Sequence, residues 1–551
     1  MKTKPIVKWG LMLSLILVFI ACKDEKPETA EEKPKRGPLG WMKSIIGNFS
    51  SQDTIFLDST YAQEFLSRHK EFSAYEKDIL RFYADRKNAY AWYEGNRIIE
   101  QAGNLYHRVR AMKDDGIGDT IPYLDQFEKL MDRPNRKANR QELELMLTSQ
   151  YFGLAHQVWK GLDDQATRKN EWYIPRKKIS FSAYLDSMLS ESKNEFLESE
   201  PLNPQYVAMR SALSSYRAIQ EANPRWQQIE ASKKKFQKGD SGQVIQQIRE
   251  RLVVLGDLKD NNSSVIFDDA MEQGVKRFQQ RHGLEPDGII GKGVLDELNV
   301  SPGKRIETIL VNMERARWLP VDLSKTDNYL LVNIPEFTLH VYENNKPAWK
   351  SNVVVGETVN QTVIFSGMLD HVVFSPHWNI PESIVKEEIL PSIEADPDYL
   401  EKQNLEITGE LNGVPVIRQK PGTENSLGLV KFMFPNTHNI YLHDSPAKHL
   451  FNEPVRAYSH GCIRVAEPER LAQYVLRDMN EWNERKIREA MQSGDEKYVN
   501  LKTPLPVYLV YFTAWVDDNG VTQFRKDIYN SDPRLARMIY NEGNADITLV
   551  K

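Results

Sequence analysis

The sequence predicts a multidomain α+β chain: a helical first half, a small three-helix module, and a β-rich domain with an inserted segment. Three observations lead there. From about residue 39 to 226 apolar residues recur at helical spacing, as in Phe72, Tyr75, Ile79, Phe82 and Tyr83. Between 238 and 301, three short helical patterns surround a Pro286-Asp287-Gly288 turn. Beyond about residue 306, runs such as 329–334 and 337–342 are strand-like.

At 551 residues the chain has room for about two to four domains. A net charge of −5 leaves no basic footprint, so nucleic acid is not an expected partner. Only Cys22 and Cys462 occur, which excludes a disulfide-stapled scaffold. Lys2, Lys4 and Lys8 precede an apolar run at 11–21 that is short for a spanning helix. It ends Phe19-Ile20-Ala21-Cys22, which looks like a lipobox, with Phe19 where Leu is usual. Residues 1–22 therefore read as a lipoprotein-type signal, with Cys22 the lipidated first residue of the mature chain. The bulk of the protein is expected in the cell envelope, on the periplasmic face, held to a membrane by lipid. Residues 23–38 are charged and proline-bearing, a solvated tether.

A helical domain is expected over 39–230, with a second, looser pattern in Leu143, Leu147, Phe152 and Ala155. Its aromatics Tyr90, Trp92, Tyr93, Tyr151 and Trp159 suit either carbohydrate stacking or a core, and at helical spacing core is the expectation. After a basic linker at 233–238, the module's helices carry Val244, Ile245, Ile248, Leu252 and Leu255, then Ala270, Val275 and Phe278. Gly291 opens the third, which carries Val294, Leu295 and Leu298. His282 at a helix end reads as packed or capping, not as a metal ligand.

The last domain is expected over 306–551. It starts with an amphipathic helix at 309–318 that stops at Leu319-Pro320. After the strands at 329–334 and 337–342 come a turn at 343–346 and a strand at 349–355 ending at Gly356. More strands are expected at 363–365, 372–374 and 506–516, then an Asp518-Asn519-Gly520 turn before 521–524. A helix is expected from Glu469 through Leu476. The charged stretch at about 379–430 is too long for a plain loop and should carry helices.

The chemistry concentrates at His443-Asp444 and Ser459-His460-Gly461-Cys462-Ile463-Arg464. Cys462 has no obvious disulfide partner in a mature chain. A free thiol titrates near ~8.5, so an imidazole that takes its proton makes it a nucleophile for acyl transfer. Cys462 follows His443 by 19 positions, a spacing that suits two neighbouring strands joined by a loop. Gly461 lets backbone amides crowd a reacting carbonyl, with the Gly461 and Cys462 amides placed for the oxyanion. The bland alternative is a buried cysteine among satisfied histidines.

These residues resemble the signature of L,D-transpeptidases, the YkuD-type catalytic domain. The likeness extends through Pro421-Gly422, Asn425-Ser426-Leu427-Gly428, Lys431-Phe432 and Ile440-Tyr441-Leu442-His443-Asp444, which are similar to the large subgroup typified by YcbB. The module, through Phe278 to Gly283 and Asp287 to Gly291, looks like a peptidoglycan-binding domain. The resemblance implies a β-sandwich-like catalytic domain, a helical scaffold packed on it, and an insertion that caps the groove. It implies Cys462 as nucleophile, His443 as general base and no cofactor or metal. His460 would shape the pocket, Ser459, Asp444 and Arg464 would orient the histidine or substrate carboxylates, and Trp378, Lys431 and Tyr441 would line the groove. The reaction implied joins peptidoglycan stem peptides 3→3 through a thioester with loss of D-alanine, and carbapenems would acylate Cys462. Cell-wall synthesis partners are compatible with the scaffold.

Other readings share these residues. The thioester can be hydrolysed, as in an L,D-carboxypeptidase, or passed to a lipoprotein amine. His443, His460 and Cys462 are also zinc-ligand types, but their tight spacing and the lack of a clear fourth ligand or catalytic Glu weigh against it. A non-catalytic wall-binding lipoprotein is the remaining class.

Overall fold

The computed structural model describes residues 54–542, except 118–120, 177, 191–199, 232, 260–261, 321–322 and 324–325. Cys22, the tether at 23–38 and the first residues expected in the scaffold lie outside the described residues. Among the described residues no helix is long and apolar enough to cross a membrane.

The first half is helical: α1 (Ser59–Arg68), α2 (Glu76–Asp85), a small hairpin of β1 (Tyr93–Glu94) and β2 (Arg97–Ile98), α3 (Glu100–Arg110), α4 (Leu124–Met131), α5 (Arg140–Leu154), α6 (Asp164–Lys169), α7 (Phe181–Ser190) and α8 (Pro204–Ala222). Every residue at 143–154 of α5 is buried, so this helix is the axis of the scaffold. Trp92, Tyr151 and Trp159 pack in the core around it, as their spacing anticipates. Glu144 on α5 is a fully buried carboxylate. Glu144 accepts the Tyr83 hydroxyl at 2.9 Å and the Ala91 and Trp92 amides at 2.6 and 3.1 Å. Burial lifts its pKa to about 7, against the pull of those donors.

The module comprises α9 (Gln243–Val254), α10 (Asp269–Arg281) and α11 (Lys292–Leu298) around its own core of Ile245, Leu252, Val275, Phe278 and Leu298. Asp268 caps α10 by accepting the Met271 amide at 2.9 Å. The Gln279 side chain clasps the turn, bonding Asp287 at 2.7 Å and the Gly288 amide at 2.8 Å. His282 is packed, 3.9 Å from the Phe278 ring and 5.6 Å from that of Phe524.

Next, α12 (Pro302–Trp318) starts earlier than apolar periodicity suggests, because Ser301 caps it and Pro302 takes the first turn. Then follow β3 (Tyr329–Asn333), β4 (Thr338–Glu343), β5 (Lys346–Gly356), β6 (Ser366–Phe374) and β7 (Trp378–Asn379). The inserted segment, labelled the cap below, contains α13 (Glu382–Ile384), α14 (Leu390–Ala395), α15 (Tyr399–Lys402), β8 (Leu405–Leu411) and β9 (Val414–Gln419). β7, β9 and β8 form a separate three-stranded sheet over a small core of Ile384, Val385, Ile389 and Ile417. The chain returns through β10 (Val430–Met433), β11 (Leu442–His443), β12 (Ala457–Ser459), β13 (Ile463–Val465), α16 (Pro468–Val475), α17 (Glu484–Gln492) and β14 (Lys497–Val510). It ends with the hairpin β15 (Ala514–Val516) and β16 (Thr522–Phe524), then α18 (Asp532–Glu542).

The main sheet runs β5-β13-β11-β10-β6-β14-β3-β4, and β4 pairs back onto β5, so the strands close into a ring with β12 on its rim. Its core face carries Leu330, Leu339, Val341, Val372, Phe432, Leu442, Ile463 and Val507, all fully buried. Two expected strands differ. Residues 363–365 make no strand, because the scaffold takes their backbone: Ile364 bridges Trp172 and its carbonyl accepts the Tyr173 amide at 2.8 Å. The run at 506–516 is two strands, β14 and β15. Between them Asn333 and Asn312 side chains accept the Phe512 and Thr513 amides at 2.8 and 3.0 Å and end the ladder.

Candidate active site

The site follows from strand alternation. β11 and β13 pair in parallel, with Leu442 opposite Ile463 and His443 opposite Arg464. Leu442 and Ile463 take the core face, so His443 and Arg464, and one step earlier Tyr441 and Cys462, take the other. β10 runs antiparallel beside β11 with Lys431 opposite His443. Lys431, His443 and Arg464 thus form one row across three strands, and Cys462 lies diagonal to His443.

His443 is buried, and its Nδ1–H donates to the Asp444 carbonyl at 2.5 Å, which leaves Nε2 as the acceptor. Burial, reinforced by the Arg464 charge, lowers its pKa to about 3. Cys462 is a free thiol whose Sγ lies 3.6 Å from the Asn439 carbonyl. Burial pushes it up, opposed by the Tyr441 amide and phenol and by Arg464. The thiol and the imidazole are therefore both neutral at neutral pH. Tyr441 contacts the thiol through its phenol, and its ring lies 5.7 Å from that of His443. Burial lowers Lys431 and Arg464, and neither has a carboxylate at ion-pair distance among the described residues. The Arg464 Nε is buried without a hydrogen-bond partner.

The turn before Cys462 is tied from behind. Gly461 has φ +110°, a region that favours glycine. The Ser459 hydroxyl donates to the Cys462 carbonyl at 2.5 Å and accepts the Gly461 amide at 3.2 Å. The Thr362 hydroxyl donates to the Gly461 carbonyl at 2.8 Å and accepts the Gly356 amide at 2.9 Å. The Tyr529 hydroxyl in turn donates to the Gly356 carbonyl at 2.6 Å. Thr362 and Tyr529 lie far from the motif in sequence, in segments with no pattern of their own. At Gly356, the end of β5, a Cβ would meet the Asn360 carbonyl at 2.1 Å, so the packing there admits only glycine.

The other expected site residues make contacts of their own. Ser459 does not touch His443; it knits the turn. The Gly461 amide, expected at the oxyanion, donates to the Ser459 hydroxyl at 3.2 Å in this structure. Asp444 orients His443 through its carbonyl, while its buried carboxylate accepts the Leu429 and Ser445 amides at 2.9 and 2.7 Å and pairs with Lys448. It thereby anchors the loop that follows β11. His460 is half-exposed and reaches the cap, its Nε2 3.1 Å from Glu388. Trp378 begins the cap and packs on the cap's own core. Among the described residues no group of three or more His, Cys, Asp or Glu is placed to hold a metal ion.

Three segments match known families. Residues 327–507 match the L,D-transpeptidase catalytic domain, YkuD; 77–213 match a scaffold domain; 241–298 match a "Putative peptidoglycan binding domain". A curated protein of Haemophilus influenzae, named "Putative L,D-transpeptidase", is 31% identical over 245 residues, which are 42% of this chain and 49% of that one. The chain thus spans about half the length of this relative. A solved L,D-transpeptidase of Xylanimonas cellulosilytica is 15% identical, covering 51% of this chain and 100% of that one with TM-score 0.18. Another, from Stackebrandtia nassauensis, is 14% identical, covering 51% and 97% with TM-score 0.20.

Proposed function

We propose that this chain, which carries an L,D-transpeptidase catalytic domain and a peptidoglycan-binding domain, forms 3→3 cross-links between peptidoglycan stem peptides. The observation that carries the reading is the diagonal placement of Cys462 and His443 on one sheet face, with the imidazole tautomer fixed by the Asp444 carbonyl. The Cys462 sulfur attacks the carbonyl at the L-centre of the third stem residue as its proton passes to His443 Nε2. The Cys462 amide meets the oxyanion, and the fixed Gly461 turn sets its direction. The C–N bond breaks, D-alanine leaves with the proton from His443, and a thioester remains. A side-chain amine of a neighbouring stem attacks that thioester, gives its proton to His443, and the thiol is restored. Lys431 and Arg464, cations with no carboxylate at ion-pair distance among the described residues, meet the donor's carboxylates. The cap keeps water from the thioester. Lipidation at Cys22 would hold the chain at the envelope.

The test is mass spectrometry of products from disaccharide-tetrapeptide incubated with the chain lacking its first 38 residues, beside Cys462→Ala. Tetrapeptide–tripeptide dimers that have lost one D-alanine, absent with the mutant, are the expected result. Tripeptide monomer alone would replace the reading with an L,D-carboxypeptidase. Carbapenem treatment should add one acyl group to the wild type and none to the mutant.

A further inference from the structure

β3 lies four strands from β11 in either direction around the ring, so it is on the far side from Cys462. Its non-core face forms the floor of a cleft of about 320 Å³, closed by the start of α8 and the β15–β16 hairpin. That volume is ordinary for a small-ligand site. Tyr329 and Tyr342, paired across β3 and β4, stack with ring centroids 4.3 Å apart and an interplanar angle of 10°. Trp515 lines the cleft from the hairpin, and Asp518 lies at its exposed rim. Deeper in, Glu336 accepts the His340 Nε2–H at 2.8 Å through Oε2. Its other oxygen has no protein partner among the described residues.

The charges decide what such a cleft takes. Glu336 stays ionised despite its burial because His340, Arg525 and Lys350 surround it. The Arg525 guanidinium lies 4.8 Å from the Trp515 ring centroid, so a cation already sits against that ring. An incoming ammonium would meet a site already balanced. A neutral, hydroxyl-rich ring fits better: its C–H faces pack on flat aromatic surfaces and its hydroxyls donate to the carboxylates. The polymer handled by this chain's domains is a glycan whose sugars carry the stem peptides. We propose that the cleft binds an amino-sugar segment of the peptidoglycan glycan strand, seated against Tyr342 and Trp515 with hydroxyls on Glu336 and Asp518. Being on the far side of the sheet, it grips the strand without occupying the place of the reacting stem. The proposal rests on peptidoglycan being the polymer, not on the chemistry at Cys462.

The experiment is equilibrium binding of glycan oligosaccharides stripped of stem peptides to the mature chain, with footprinting of the bound protein. Trp515→Ala, Tyr342→Ala and Glu336→Gln should each weaken binding about tenfold. Tyr342→Phe should retain most of it, and glycan should protect 329–345 and 510–518. Dimer formation from isolated disaccharide-tetrapeptide should not change in any variant, which separates this test from that of the reaction. Unchanged affinity in folded Trp515→Ala and Tyr342→Ala chains overturns the proposal. So does protection confined to 241–298, which would assign all glycan binding to the module.

Discussion

At the scale of single residues, the polarity of the Cys462–His443 pair sets a pH profile. With the imidazole near 3 and the thiol above its ordinary value, no thiolate–imidazolium pair exists at neutral pH. The rate of Cys462 alkylation by a small neutral reagent should therefore rise with pH through 9 without a break near 6.5. A plateau setting in between pH 6 and 7 would mean a preformed ion pair and sink this account. A second residue-scale expectation concerns Thr362. Thr362→Val removes the hydroxyl that joins Gly461 to Gly356, two hydrogen bonds together worth about 1–3 kcal/mol. The turn carrying Cys462 loosens, so kcat should fall about tenfold to a hundredfold with little change in KM. Steady-state kinetics on disaccharide-tetrapeptide reads the split; a pure KM effect would contradict it. Cys462 and His443 stand out in the sequence because their residue types cluster in the chain. Thr362, Tyr529 and Glu388 do not, because each joins the site only through folding, from stretches whose composition is that of any loop or polar helix.

At the scale of elements, strands were legible where alternation is clean, as in 329–334, and misjudged where side chains of other elements cap the backbone, as at Ile364 and Thr513. The cap was legible as an insertion by its length and charge, but its bounds come from pairing: Trp378 opposes Gln419 and Asn379 opposes Arg418. Replacing 380–417 by Asn-Gly should close a two-residue hairpin there and leave the main sheet intact, since the cap has its own core. The shortened enzyme should keep its fold by circular dichroism and shift from dimer toward hydrolysed tripeptide. An unchanged product ratio would deny the cap its water-excluding role. In the scaffold, Glu144 makes stability fall as pH rises from about 4.5 to 7. In that window the folded carboxyl holds a proton that the unfolded chain has released. The loss is on the order of 2–3 kcal/mol, and Glu144→Gln should flatten it in denaturant titrations across that range.

At the scale of the whole molecule, the three expected domains are not three independent cores. The module has its own, but the scaffold and the β-domain share one continuous apolar cluster. The join is specific. Trp172 of the scaffold lies 5.5 Å from Trp318 and 6.2 Å from Phe512, ring to ring. Glu314 on α12, almost fully buried, accepts the Leu162 amide at 2.8 Å and the Trp318 indole at 2.9 Å and pairs with Arg317. The resemblance implied a scaffold packed on the β-domain but not these contacts, because helical periodicity marks which face is buried but not what buries it, and the ring closure from β4 to β5 has no local signature. A shared core should unfold together. Calorimetry of the mature chain should therefore show one large transition for scaffold and β-domain and a separate small one for the module. Trp172→Ala, which opens a cavity at the join at a cost of about 3–5 kcal/mol, should lower the large transition alone. It should move scaffold and β-domain probes by the same amount. If a chain beginning at Pro302 folds by itself with an unchanged midpoint, the scaffold is an appendage and the shared core carries no stability.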